Sequence, residues 1–284
     1  MQVNYIEDIS SYSSKAKVIF CDLWGVIHNG QALNNGGQLF LSNMKKFGIK
    51  VIFISNAPRP NHIVEEGLLR KFKLEYNLFH SIITSGDITI RFINKKKFGN
   101  RYYHLGPSKD FDLLKEIEVD QVTSFAESDF VLCTGLDNDD LQALQDYKST
   151  LDEMLSRNLT LICANPDLIV MRGDKEVQCA GSLANYYQDI GGRVKFFGKP
   201  FNDVYEYAYN YCLMNKMITD KSEVLAIGDS LRTDIRGAEE FGIESVFVTS
   251  GIHNNEIKSG KDIESLIEKY LNFSIKKINV IKKL

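Results

Sequence analysis

Short apolar runs alternate with helix-like segments along most of the chain, and this alternation constrains the fold more than any other feature. Four of the runs are apolar at nearly every position, and they span residues 17–21, 51–54, 224–227 and 245–248. A strand that is apolar on both sides has to be covered on both faces, which is typical of a parallel sheet lying between helices. A helix-like segment such as 38–47 can supply the crossover that parallel strands need. The sequence therefore predicts an α/β fold built on a parallel sheet.

Residues 86–197 repeat this alternation by themselves. Strand-like runs lie at 101–105, 129–133 and 159–163, and an amphipathic helix is marked by Leu141, Leu144, Leu151, Met154 and Leu155. Two further short strands at 169–171 and 176–178 flank a turn at 172–175, which is the pattern of a β-hairpin. The middle of the chain is thus predicted to form a second α/β unit.

Composition and charge argue against several classes of partner. The formal net charge is −3, so nucleic acid is not expected to be the main partner. The sequence has no run of about 18 apolar residues, so we expect no membrane span. Residues 1–8 are polar and acidic, unlike a secretory signal, and we expect a cytoplasmic protein. The lysine-rich tail at 274–284 is expected to be a docked or frayed end.

The cysteines show no pattern of a metal or redox site. They are Cys21, Cys133, Cys163, Cys179 and Cys212, and none forms a Cys-x-x-Cys pair with another. Most lie in apolar runs, where a free thiol behaves as a small apolar side chain. We expect all five to be structural.

Polar side chains follow several of the strand-like runs at the point where each strand ends. These residues are Asp22 after the first run, Ser55 and Asn56 after the second, Lys199 after a run at 194–197, and Asp229 and Asp234 after the run at 224–227. Ligands of parallel sheets bind outside the carboxyl ends of the strands, so we expect these side chains to meet at one edge. Three carboxylates so close together would repel one another, and a hard cation such as Mg²⁺ would compensate their charge.

This combination of side chains suits phosphoryl transfer. Mg²⁺ binds one or two carboxylates together with phosphate oxygens. Lys199 adds a compact positive charge, and Ser55 and Asn56 offer hydrogen-bond donors to phosphate. An aspartate in such a site can attack phosphorus and form an aspartyl-phosphate.

Taken in this order, the blocks resemble the motifs of the haloacid dehalogenase-like (HAD) hydrolase superfamily. Asp22-x-Trp24-Gly25-Val26 is similar to its nucleophile loop, and Gly228-Asp229-x-x-x-x-Asp234 is similar to its acidic fourth motif. The resemblance implies that Asp22 is the nucleophile and a Mg²⁺ ligand. It implies further ligands in Asp229 and the Trp24 backbone carbonyl, with Asp234 in or next to the metal site. The phosphate would then be held by Ser55, Asn56 and Lys199.

Further blocks resemble class IIA of that superfamily, the branch of nucleotide, sugar-phosphate and p-nitrophenyl phosphate phosphatases. Residues 228–235 and Asn165-Pro166-Asp167 carry this resemblance. Such enzymes insert an α/β cap between their second and third motifs, which implies a cap at 86–196 and a Rossmann-like core formed by 1–85 and 197–284. The class also suggests a homodimer, and it places Asn165 and Asp167 close to the substrate, although Asn-Pro-Asp is also a common turn sequence.

The sequence departs from the family pattern two residues after Asp22. Phosphatases of the superfamily usually carry a second Asp there as general acid/base, whereas this chain has Trp24, which cannot transfer a proton. Losing such a group typically lowers the rate about 10²–10⁴-fold. His28 is a candidate replacement because its reference pKa lies near neutrality. The alternative is that His28 makes a structural hydrogen bond in the loop.

We therefore expect a Mg²⁺-dependent hydrolase of small phosphorylated metabolites, such as sugar phosphates or nucleotides, that acts through an aspartyl-phosphate. The cap would select the leaving group and exclude water. Because of Trp24, an alternative is a slow or inactive HAD-like protein that binds a phosphorylated ligand in a regulatory role. A phosphotransferase is a third hypothesis.

Overall fold

The larger of two parallel sheets contains seven strands in the computed structural model, which describes residues 2–12, 14–271 and 275–284. The strands are β1 (Gln2–Tyr5), β2 (Val18–Cys21), β3 (Lys50–Ser55), β4 (Ser81–Thr84), β12 (Val224–Gly228), β13 (Glu244–Val248) and β14 (Lys277–Ile281). Their spatial order is β1-β14-β13-β12-β2-β3-β4, and every neighbouring pair is parallel. The carboxyl ends of β12, β2 and β3 therefore lie side by side.

The central strands of this sheet are buried on both faces. Along β2, Val18 and Phe20 pack into one apolar cluster, whereas Ile19 and Cys21 pack into another on the opposite face. This double burial is the reason why the strands are apolar at nearly every position. The helices that accompany the sheet are α1 (Gly37–Lys46), α2 (Asn61–Arg70), α3 (Ser85–Ile93), α7 (Asn202–Met214), α8 (Arg236–Phe241), α9 (Asn254–Lys258) and α10 (Ile263–Tyr270). The predicted α/β class is confirmed.

A second parallel sheet is formed by the middle of the chain. Its strands are β5 (Arg101–Leu105), β6 (Asp120–Val122), β7 (Phe130–Cys133), β8 (Thr160–Cys163) and β11 (Arg193–Phe196), in the spatial order β11-β8-β7-β5-β6. The helices of this part are α4 (Phe111–Leu114), α5 (Lys148–Ser156) and α6 (Ala180–Asp189). These elements lie between β4 and β12 in the chain, and we use the word cap for residues 86–196, its proposed extent.

The cap also contains the predicted hairpin. Strands β9 (Ile169–Arg172) and β10 (Lys175–Gln178) pair antiparallel around the turn at Gly173, which has a φ of 62°. A left-handed residue in a two-residue turn favours glycine, because glycine has no Cβ to clash. We call residues 169–178 the cap hairpin below.

One apolar cluster runs through both sheets. It includes Val18 and Phe20 of β2, Ile88 of α3, and Tyr102 and Phe130 of the smaller sheet. The cap is thus packed onto the larger sheet through side chains, in addition to being joined to it by the chain.

The amphipathic helix predicted through Leu141 begins later than expected. Helix α5 starts at Lys148, and the side chain of Leu141 is 83% exposed. The loop before the helix is held instead by ion pairs of Asp139 with Lys109 and Arg172, each with an N–O distance of 2.7 Å. Leu141 was therefore wrongly assigned to the apolar face.

The C-terminal tail is docked along the part that the structure describes. Residue Ser274 of the predicted tail lies outside the described residues, whereas β14 inserts between β1 and β13. Within the described ranges, no helix has the length and apolar character needed to cross a membrane. All five cysteines are buried free thiols, as expected.

Candidate active site

The predicted site residues gather around one cavity of about 1110 Å³ between the larger sheet and the cap hairpin. Asp22 follows β2, Ser55 ends β3, Asp229 follows β12, and Lys199 enters from the segment after β11. The cavity wall also includes Asn56, Trp24, His28, Asn165, Asp167 and Asp234. Asp22, Ser55 and Asp229 lie at the carboxyl edge of the larger sheet, as the rule for parallel strands predicts. Lys199 instead follows β11 of the smaller sheet, so the expectation that all these residues share one sheet edge was wrong for Lys199.

Three buried carboxylates converge in this cavity. One oxygen from each of Asp22, Asp229 and Asp234 lies within 4.8 Å of the other two. Burial raises the pKa of Asp22 to about 7, with the Lys199 ammonium opposing the shift and Asp234 adding to it. Burial and repulsion by Asp22 also raise the pKa of Asp229 well above its ordinary value. Asp22 and Asp229 therefore need a further positive charge nearby to be fully ionised at neutral pH.

Lys199 supplies one positive charge among these acids. Its ammonium is hydrogen-bonded to Asp22 Oδ1 and lies 2.7 Å from Asp234 Oδ1. Burial opposes the charged amine, but Asp22 and Asp234 outweigh it and raise the pKa of Lys199 well above its ordinary value. Three carboxylates face one ammonium, so two negative charges remain uncompensated when all are ionised.

Two glycines make room for the carboxylate of Asp229. A Cβ atom would come within 2.0 Å of Asp229 Oδ2 at Gly25 and within 1.9 Å of it at Gly251. The Ile252 N–H, next to Gly251, donates to the same oxygen at 2.6 Å. Asp229 is therefore held in a narrow cradle built from the loops after β2 and β13. The loop after β13 was not predicted to lie at the site, although Thr249-Ser250-Gly251 follows a buried strand and the strand-end rule points to it.

The block after β12 folds back on itself to direct Asp234 into the cavity. Residues Leu231–Ile235 form a π-helical turn, and the Ser230 N–H donates to Asp234 Oδ2 at 3.0 Å. The Ser230 hydroxyl in turn accepts from the Thr233 N–H at 3.3 Å. One oxygen of Asp234 is thereby fixed by the backbone, and the other is left to face Lys199.

Asn56 does something other than the sequence predicted. Its amide nitrogen donates to Asp167 Oδ1 at 2.9 Å and to the Lys199 carbonyl at 3.0 Å, and its oxygen accepts from the Lys199 N–H at 2.7 Å. Both amide hydrogens are used by protein acceptors, so Asn56 links the cap to Lys199 rather than offering a free donor to phosphate. The Ser55 hydroxyl accepts from the Ala57 N–H at 3.2 Å and keeps its own hydrogen available for a ligand.

The Asn-Pro-Asp segment of the cap forms a turn that lies in the wall of the cavity. The Asn165 side-chain oxygen accepts from the Asp167 N–H at 3.1 Å, which is an Asx turn. The Asp167 carboxylate then reaches Asn56 of the larger sheet. Burial raises the pKa of Asp167 to about 6, with Lys199 and Asn56 opposing the shift.

The side chain of Trp24 contacts the cap instead of the carboxylates. Its indole N–H donates to the Met171 carbonyl of β9 at 2.7 Å. Its ring stands edge-on to the ring of His28 at a centroid distance of 5.3 Å. The residue at the usual acid/base position therefore contacts the cap hairpin.

His28 is buried in the nucleophile loop. Its Nδ1 accepts from the Gly30 N–H at 3.1 Å, and its ring stacks on Phe72 at a centroid distance of 4.5 Å. Burial, with the nearby Lys71 charge, lowers the pKa of His28 to about 4. The imidazole is thus neutral at pH 7, and these contacts favour the structural role over proton transfer.

A His28→Asn variant tests this role, because Asn keeps an acceptor for Gly30 and removes the titratable ring. In the wild type, the folded pKa of about 4 lies below the unfolded value of about 6.5, so stability present above pH 6.5 is lost as the pH falls towards 4. Between pH 6.5 and 4, the free energy of unfolding should therefore fall less in the variant than in the wild type, by up to roughly 3 kcal/mol. Urea denaturation at each pH measures this difference. The pH profile of activity should keep its shape. Loss of one limb of that profile would instead assign His28 to proton transfer.

Comparison with known proteins identifies the family. A family model described as haloacid dehalogenase-like hydrolase matches residues 19–120, and a second, HAD-hydrolase-like model matches 196–266. Ribonucleotide monophosphatase NagD of Escherichia coli K12 is 25% identical over 259 residues, which cover 88% of this chain and 92% of NagD. An acid sugar phosphatase of Staphylococcus aureus USA300 is 23% identical over 250 residues, covering 87% of this chain and 92% of that protein.

A solved structure extends the match to nearly the whole length. The haloacid dehalogenase-like hydrolase of Brucella suis 1330 superimposes with a TM-score of 0.86 at 30% identity, covering 98% of this chain and 99% of that one. These relatives confirm the resemblance to class IIA and support the interpretation of the chain as a phosphatase. The protein belongs to the haloacid dehalogenase-like hydrolase family.

Proposed function

We propose that the protein is a Mg²⁺-dependent phosphatase of small phosphomonoesters in which Asp22 is the nucleophile. The observation that carries the proposal is the convergence of Asp22, Asp229 and Asp234 around Lys199 in one buried cavity. A surface cluster of acids would be unremarkable, but buried carboxylates need compensation for their charge.

The residues present fit a divalent cation. Two negative charges remain after Lys199 is counted, and the glycine cradle holds Asp229 with little freedom to turn away. Asp22, Asp229, Asp234 and the Trp24 carbonyl would hold the ion, and oxygen ligands of this kind suit Mg²⁺. When bound, Mg²⁺ would neutralise phosphate oxygens and the charge that develops on them.

The residues of the chain divide the reaction between them. The Asp22 carboxylate would attack phosphorus to form an aspartyl-phosphate, the ester P–O bond would break, and the alkoxide that leaves would take a proton from water. Lys199 and the Ser55 hydroxyl would hold the phosphoryl oxygens during this transfer. A water molecule would then attack this phosphorus, lose a proton to the solvent and break the P–O bond to Asp22, which releases phosphate and the free Asp22 carboxylate. Lys199 is kept in place by Asn56 through two hydrogen bonds to its backbone.

The size of the cavity and the names of the relatives support the proposed substrate class. A cavity of about 1110 Å³ can take a sugar phosphate or a nucleotide. The relatives are named as a ribonucleotide monophosphatase and an acid sugar phosphatase, which supports the same class. The alternative of an inactive binding protein is not favoured, because these relatives are phosphatases.

Removal of the metal tests the proposal directly. Hydrolysis of p-nitrophenyl phosphate should fall at least about 100-fold after treatment with EDTA, because the buried acids then have only Lys199 to balance them. Added Mg²⁺ should restore the rate, whereas the same ionic strength of NaCl should not. A panel of sugar phosphates and nucleoside monophosphates would then rank the substrates. A rate that EDTA leaves unchanged would contradict the role of the metal, and no hydrolysis of any ester with Mg²⁺ present would contradict the enzyme.

A further inference from the structure

Trp24 joins the nucleophile loop to the cap hairpin. The indole N–H of Trp24 and the Met171 carbonyl are 2.7 Å apart, although 147 residues separate them in the chain. Trp24 lies two residues after Asp22, and Met171 lies in β9. A single hydrogen bond thus connects the loop that carries the proposed nucleophile to the hairpin that covers it.

A second contact holds the turn of the same hairpin. The Gly173 N–H donates to the Asn29 carbonyl at 3.3 Å. A Cβ atom at Gly173 would come within 2.7 Å of the Gln31 amide nitrogen, so the turn rests directly on the loop after Asp22. The hairpin is therefore tied to residues 24–31 at two points, one on each side of Arg172.

The Trp24 ring is also held in place by contacts outside the cap. It stands edge-on to His28, which stacks on Phe72 in the segment after α2. Gly30 leaves the space that the ring fills, because a Cβ there would come within 2.4 Å of Trp24 Cζ2. The indole is thus a fixed donor, and little freedom is lost when it binds the hairpin.

The hairpin is connected in turn to the phosphate side of the site. Strand β9 begins two residues after Asp167, whose carboxylate accepts from Asn56. Asn56 holds the backbone of Lys199. A displacement of the hairpin would therefore reach Asp167 and Lys199 through a short series of hydrogen bonds.

We propose that Trp24 is a positioning residue that clasps the cap hairpin over the site, and that it favours the closed arrangement in which substrate binds. This inference rests on the proposed function, because the reaction that the clasp would assist is the phosphatase reaction. It also accounts for the departure from the family pattern at this position. An ionised aspartate has no hydrogen to donate to the Met171 carbonyl, so position 24 can serve the clasp or the usual proton transfer, but not both.

The expected effect is on substrate affinity. If the closed arrangement is the one that binds, its fractional population scales the apparent affinity. Trp24→Phe keeps an aromatic ring and removes the N–H donor. Because one neutral hydrogen bond is lost, KM should rise roughly 3- to 10-fold, and kcat should change less than KM.

A substitution at a glycine of the hairpin can loosen the clasp without changing Trp24, and a second glycine of the cap provides the control. Gly173→Val should distort the turn that rests on Gln31, since a β-branched residue is strained at a φ of 62°. Gly191→Val is the matched control, because Gly191 also has a positive φ, of 97°, and has no atom within 4 Å of its Cβ position. Both changes strain a turn of the cap, but only the first acts on the contact with residues 24–31.

Trp24 is the single tryptophan of the sequence, so its fluorescence reports on the clasp. In the full-length protein with Mg²⁺, G173V should shift the emission to longer wavelength, increase quenching by acrylamide and raise KM, whereas G191V should resemble the wild type in all three. Equal spectra and equal KM values for the two variants would overturn the clasp. If the wild type hydrolyses no ester, the proposed function fails, but the fluorescence comparison still decides whether Trp24 clasps the hairpin.

Discussion

Replacement of Asp22 by Asn is expected to lower phosphatase activity by at least about 10⁴-fold, because the amide cannot attack phosphorus. The change preserves the size of the side chain, so Lys199 and the neighbouring acids keep their surroundings. The measurement is the initial rate with p-nitrophenyl phosphate at saturating Mg²⁺. A second variant, Asp22→Ala, excludes slow conversion of Asn back to Asp as a source of residual activity.

Stability provides the control for this loss. The pKa of Asp22 is about 7 in the folded protein and 3.8 in the unfolded chain. The folded state therefore favours the protonated side chain. The free energy of unfolding that this preference contributes is fully present below pH 3.8 and is lost as the pH rises through 7. At pH 8 in EDTA, the D22N variant should therefore unfold at the same temperature as the wild type or higher. Substantial activity in both D22N and D22A would remove Asp22 from the mechanism.

Lys199→Met is expected to impair both stability and activity. The side chain of Lys199 is almost wholly buried between Asp22 and Asp234, and the substitution leaves two buried carboxylates without their cation. Breaking such a pair costs about 3–5 kcal/mol in the free energy of unfolding. Loss of the phosphate-binding charge should also lower kcat by about 10²–10³-fold. Urea denaturation and steady-state kinetics measure the two effects.

Lys195→Met is the matched control for that substitution. Lys195 lies four residues earlier and forms a partly exposed ion pair with Asp203 at 2.7 Å. Exposed pairs of this kind contribute at most about 1 kcal/mol, so K195M should remain close to the wild type. Added Mg²⁺ should recover part of the stability of K199M, because a divalent cation can replace the missing charge. Equal effects of the two substitutions would contradict the role given to Lys199.

The sequence predicted the central part of the fold better than its edges. Strands β2, β3, β12 and β13 are buried on both faces along most of their length, and burial of that kind favours an apolar residue at nearly every position. Strand β1 is at the edge of the sheet and contains polar residues that face solvent. Strand β14 contains Asn279, whose side chain is buried and forms hydrogen bonds with Asn4 and Glu244. Their sequences therefore lack the continuous apolar pattern.

The candidate site was predictable where it depends on strand ends alone. Asp22 and Asp229 follow strands of the larger sheet, so the sequence located them without knowledge of the cap. Lys199 also follows a strand, but that strand, β11, belongs to the smaller sheet. The roles of Asn56 and Trp24 could not be foreseen, because their partners are Asp167 and Met171, more than 100 residues away. A pairing over that distance is fixed by the packing of the cap and leaves no local pattern in either segment.

The apolar cluster that runs through both sheets limits how this protein could acquire new specificity. Exchange of residues 86–196 for the equivalent segment of another hydrolase would cut that cluster, in which Ile88 and Tyr102 pack together with Val204 and Ala208 of α7. A chimera would then expose apolar surface or leave voids unless both sides were redesigned together. None of the residues 169–178 belongs to an apolar cluster of the described chain. Apart from the buried Val177 and the turn at Gly173, mutations in the hairpin can accordingly change the wall of the cavity at little structural expense, and selection for a different leaving group would find its most tolerant positions there.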